Sequence, residues 1–186
     1  MSAATLTASK VFTARDLEGL SAQGYHYELI QGELHSMVPP GGMHGSSTSR
    51  LSIFAGRLII DQDLGETFTA ETGFLIRRNP DTVLAPDFAL ILKERLPGAI
   101  TKGYVAVVPD IVLETRSLND TKREVADKVE RWLEAGVRLV WDLDPEAKVL
   151  TVYRGGQPPT ALGIDDTLDG GDILPAFTVP IAKIFR

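Results

Sequence analysis

The chain has 186 residues, 44% of them hydrophobic, a formal charge of −6 and no cysteine. This length and apolar content suit one core and favour a single domain over two, while the missing thiols exclude disulfides and thiolate metal sites, so any metal must be held by oxygen or imidazole. The negative average field repels polyanions, so nucleic-acid binding would need a local basic patch.

No apolar stretch approaches the roughly 20 residues that span a bilayer, and the Met1–Lys10 start lacks the basic-then-apolar pattern of a secretory signal. A cytoplasmic protein with no membrane partner is expected. Residues 1–11 read as a flexible arm and 12–186 as one domain. Thr13–Leu20 has the pattern of a short capped helix. Tyr25–Ile30 and Glu33–Val38 flank the turn pair Gln31-Gly32 and predict a β-hairpin.

From His44 to Gln62 the apolar residues Leu51, Phe54, Ala55, Leu58 and Ile59 fall at helical spacing, with Gly65 beyond as a stop. Glu66–Arg77, Ala85–Leu92, Val105–Arg116, Val137–Leu143 and Lys148–Arg154 read as strands, separated by turn signals such as Asn79-Pro80-Asp81 and Leu96-Pro97-Gly98. Between them, Val125, Val129, Trp132 and Leu133 form one helical stripe in a charged segment from Asp120 to Ala135 that Gly136 ends. Ile173–Phe177 and Val179–Phe185 are expected to cover an edge of the core.

Two carboxylates interrupt the buried-strand patterns. Asp87 follows Pro86, and Glu114 stands 27 positions later in Glu114-Thr115-Arg116. An ionised carboxylate in such a run is costly unless it meets a cation. If the two strands are neighbours, Asp87 and Glu114 converge on a hard cation such as Mg2+. The other reading is a structural ion pair of Glu114 with Arg116, which shares its strand face, and Asp87 as a turn residue.

Lys128 lies within about 60° of Val125 and about 40° of Trp132 at 100° per residue, beside the inward stripe. It either snorkels to the rim or reaches the carboxylates, where an ammonium would orient water or stabilise transition-state charge. His44 projects within about 20° of Leu51, at a helix start where free amides favour anions. It contacts a phosphate or metal, or is a satisfied core histidine. Glu33 is a candidate third carboxylate or an exposed hairpin residue; Glu28 and Glu71 rank below it. Arg77-Arg78, Lys93 with Arg95, Lys102 and Lys122-Arg123 are the candidate basic patches, or solvated surface.

Taken in order, Tyr27–Leu34, the loop ending in His44-Gly45, Ala70–Phe74, Ala85–Asp87, Pro109–Glu114, and Lys128 with Ala135–Val137 resemble the Uma-two family, named "putative restriction endonuclease", over about Phe12 to Phe185. That family sits in the PD-(D/E)XK nuclease-like superfamily. The resemblance implies an α/β fold with a central mixed β-sheet flanked by helices, restriction-endonuclease-like. It implies Asp87 and Glu114 as metal ligands for Mg2+ or Mn2+, DNA as substrate, and Lys128 as the catalytic cation on the following helix. The superfamily lysine two residues after the second acid is Arg116 here, which binds phosphate but does not readily give up a proton. Ser117-Leu118-Asn119 replaces the family's Ser-Pro-Ser run. A homodimer is expected because two-fold symmetry matches two antiparallel strands. Two other classes fit the same acids: a nuclease-like binding module without turnover, and a metal-dependent hydrolase of small phosphate esters.

Overall fold

A computed structural model describes residues 10–98, 100, 102–118 and 120–185. The arm expected over residues 1–11 lies mostly outside them. Helix α1 (Ala14–Ser21) opens on a capping box in which Thr13 and Asp16 exchange side-chain and backbone hydrogen bonds, a device worth about 1 kcal/mol. The hairpin β1 (Tyr27–Ile30) and β2 (Glu33–Ser36) follows, and then the long helix α2 (Gly42–Asp61). Next come β3 (Gly65–Thr69), β4 (Phe74–Arg77), β5 (Thr82–Leu84), β6 (Phe88–Leu92) and β7 (Ile111–Thr115). Helix α3 (Lys122–Ala135) leads into β8 (Leu139–Asp144) and β9 (Val149–Arg154). Short strands β10 (Thr160–Leu162), β11 (Thr167–Gly170) and β12 (Leu174–Pro180) complete the order.

The central sheet has the order β10-β9-β8-β7-β6-β3, and a smaller sheet the order β2-β1-β5-β4. Within the central sheet β7 and β8 run parallel and their neighbours antiparallel. A parallel pair needs a crossover, and α3 supplies it. Side chains alternate across a strand, so Phe88, Leu90, Ile111 and Leu113 join the core under α2, while Ala89, Ile91 and Val112 join the core under α3. Both faces of β6 and β7 are therefore covered, which explains their unbroken apolar runs.

α3 is bounded as its sequence predicts: Thr121 and Glu124 form a capping box, and Gly136 ends the helix at φ 102°, a left-handed conformation suited to glycine. Three expectations differ from the structure. The stretch Glu66–Arg77 is two strands in two different sheets, because Glu71 turns the chain at φ 72° between them. Only Ile111–Thr115 of the stretch Val105–Arg116 is a strand; Val105 makes an isolated bridge to Phe74. The C-terminal segments do not cap an edge: Leu174, Phe177, Val179 and Ile181 lie over the face of the central sheet that α2 also covers.

Candidate active site

The site lies where β7 ends. Antiparallel pairing of Phe88 with Leu113 brings the residue before β6 against the end of β7, and the Thr115 amide donates to Asp87 Oδ2 at 2.7 Å. Glu114, two residues after Val112, faces α3. Lys128 and Trp132 are four apart on that helix and so lie on one face. Lys128 Nζ stands 2.9 Å from Glu114 Oε2, and Trp132 Nε1 donates to Glu114 Oε1 at 2.7 Å.

Two further elements close the cluster. From β1, Glu28 Oε1 accepts from the Ala85 amide at 2.9 Å and stands 3.3 Å from Lys128 Nζ. From α2, His44 Nε2 lies 3.3 Å from Asp87 Oδ2, and Thr48 donates to the Thr115 hydroxyl at 2.7 Å. Asp87 and Glu114 keep 18% and 12% of their side chains exposed, so the group is screened from water without being sealed.

Three carboxylates face one ammonium and one imidazole here, and the charges are strongly coupled. The Glu114 carboxyl is pushed up to about 8 in all: burial raises it most, Lys128 pulls it down, and Asp87 and Glu28 add to the rise. Burial alone would weaken the Lys128 ammonium, but Glu114, Glu28 and Asp87 outweigh it and hold it above the ordinary lysine range. Lys128 is thus a fixed cation, and Glu114 is a carboxylate short of positive charge.

A divalent ion fits that donor set. Asp87 and Glu114 are hard oxygen donors, and Lys128 and Trp132 take one position on each Glu114 oxygen, leaving further lone-pair positions on both. Among the described residues no group of three or more histidines and acids is arranged to hold a metal. An ion there would therefore complete its shell with water or substrate oxygen, as Mg2+ commonly does.

Residues 14–182 match the model of the Uma2 (Uma-two) family, described as "putative restriction endonuclease". The chain belongs to the Uma2 family. Among solved structures it is similar to the crystal structure of "a putative nuclease belonging to DUF820" from Anabaena variabilis ATCC 29413, at 20% identity and a TM-score of 0.79, over 94% of this chain and 97% of that one. At this identity the likeness establishes the fold, a restriction-endonuclease-like mixed sheet with flanking helices. A cryoEM structure of a DrdV–DNA complex is similar at 13% identity and a TM-score of 0.32, over 70% of this chain and 87% of that one. A search of curated proteins gives no match.

In this Uma2 protein the structure brings Asp87, Glu114, Lys128 and His44 together. Glu33 stays outside: it pairs with Ile30 at the turn end of the hairpin and is exposed, whereas Glu28 of the same hairpin reaches Lys128. Arg116 turns to β8, where its guanidinium donates to Asp142 at 2.8 and 2.5 Å and to Asp144 at 3.1 Å. Asp142 pairs in register with Glu114 and is 1% exposed, so this clamp holds the seam of the parallel pair. The sequence pattern marks Trp132 only as a core residue, because periodicity shows the face of a side chain but not the partner of its N–H. Several candidate basic residues are already engaged: Lys93 with Asp63, Arg95 with Asp110, and Arg123 with Asp127.

Proposed function

We propose that this Uma2 protein is a Mg2+- or Mn2+-dependent endonuclease that hydrolyses DNA phosphodiester bonds at the Asp87–Glu114–Lys128 cluster. The observation that carries the reading is the meeting of two acids, one just before β6 and one within β7, with a charged lysine at the C-terminal end of β7. Family membership supports nuclease chemistry.

Asp87 and Glu114 would hold the ion, which when bound neutralises phosphate charge and makes a water more acidic. The Thr115 amide and His44 both meet Asp87 Oδ2, which anchors that oxygen of the carboxylate. Lys128 stays protonated and so does not serve as a base; its ammonium orients the attacking water and stabilises the negative charge that builds on the phosphate oxygens. Water attacks phosphorus and gives up a proton to solvent, one phosphorus–oxygen bond of the strand breaks, and the leaving oxygen takes up a proton, so a phosphomonoester and a hydroxyl end result. Arg116 serves this site by fixing the β7–β8 seam through Asp142. A homodimer would place two such sites on the two strands of a duplex.

Plasmid nicking with Mg2+, with Mn2+ and with chelator tests the reading. Cutting should require the metal and vanish in Asp87→Asn and Glu114→Gln. The net charge of −6 favours a second reading, hydrolysis of a small phosphate ester. Turnover of a small diester with no cutting of plasmid would select it.

A further inference from the structure

Glu114 is gripped at both oxygens from one turn of α3, by an ammonium at 2.9 Å and an indole N–H at 2.7 Å. The two grips differ in kind. Lys128 keeps 30% of its side chain exposed and sits on a flexible stem, whereas Trp132 is 0% exposed. No water competes for the buried N–H, and packing fixes the ring: it meets Phe74 edge to face, centroids 6.3 Å apart at 78°. The second tryptophan supplies a contrast, for Trp141 is equally buried and its Nε1 has no partner among the described residues. The N–H of Trp132, by contrast, is aimed at the carboxylate of the site.

We infer that Trp132 is a positioning residue: its N–H sets the plane of the Glu114 carboxylate, so that the oxygen positions not used by Trp132 and Lys128 are presented toward Asp87 and the cation they would share. This rests on the metal-dependent reading above. A rigid donor behind a metal ligand restricts its rotation and pre-arranges it for the ion, and loss of such a partner commonly lowers affinity about 10- to 100-fold. Lys128 alone cannot do this, because an ammonium on four rotatable bonds follows the carboxylate instead of directing it.

The test uses the full chain and Mg2+ without DNA. The proton–nitrogen spectrum of the labelled protein has two indole signals, one per tryptophan, and Trp132→Phe assigns them by removing one. During a Mg2+ titration the Trp132 signal should move with the same midpoint as the heat of binding, while the Trp141 signal stays. Trp132→Phe, which keeps an aromatic ring in the core and removes the donor, should bind Mg2+ at least about tenfold more weakly. A still Trp132 signal during saturable Mg2+ binding, or wild-type affinity in Trp132→Phe, would overturn the positioning role and leave the metal reading standing. Absence of Mg2+ binding in the wild type would overturn both. Trp141→Phe assigns the same two signals by removing the other one, so the wild-type titration decides the matter even if Trp132→Phe does not fold.

Discussion

Lys128 reaches across from the crossover helix to within 2.9 Å of Glu114 on the strand that the helix follows. The sequence separates the two by fourteen positions, and the β7–α3–β8 crossover folds them back onto each other.

Removing that ammonium tests its share in stability. Lys128→Met should cost about 3 kcal/mol in urea unfolding near pH 8, since it leaves Glu114 and Glu28 without their cation. The loss should shrink near pH 5, where Glu114 can hold a proton. An equal loss at both pH values would mean that packing, not charge, is what Lys128 supplies.

The Glu114 carboxyl sets a pH dependence with a defined sign. Its value is raised from 4.5 to about 8 in the fold, so the folded chain binds this proton more tightly than the unfolded one. The resulting stability is complete below pH 4.5 and is lost as the pH rises to about 8. Without metal, melting temperature should fall across that window, and less so in Glu114→Gln. Mg2+ must displace the same proton, so its affinity should climb to about pH 8 and then level off. Calorimetry in two buffers of different ionisation heat should show proton release near pH 7, and much less near pH 9.

Arg116 separates a structural role from a chemical one. Arg116→Ala leaves Asp142 buried without its cation and should cost about 3 kcal/mol. Arg116→Lys keeps the charge and loses the two-pronged grip, so it should be less stable than wild type and still cut DNA. A folded Arg116→Lys protein that binds DNA and does not cut it would place the guanidinium in the reaction.

What was legible in the sequence is what rests on local rules. Helix α3 announces itself by its apolar stripe, its Thr121–Glu124 box and Gly136. Asp87 and Glu114 stand out because a charge in a two-faced buried strand needs a reason. Helical angle alone puts Lys128 beside the inward stripe, and the fold decides that it turns to Glu114 and not to the rim. The rest is decided by long-range pairing. Glu28 outranks Glu33 because the Ala85 amide, 57 residues away, meets that end of the hairpin. Arg116 alternates onto the Glu114 face as expected, but Asp142 arrives there from β8 and takes it. Glu66–Arg77 looks like one Thr- and Phe-rich run, and nothing in its composition says that a turn at Glu71 sends its halves to different sheets.

Asp87 and Glu114 sharing one divalent ion is the claim on which the functional account stands. Anomalous scattering from a crystal soaked in Mn2+ tests it most directly. The account predicts one strong peak between the Asp87 and Glu114 carboxylates, lost in Glu114→Gln; a well-ordered site with no peak there, or with manganese bound only elsewhere on the chain, would contradict it.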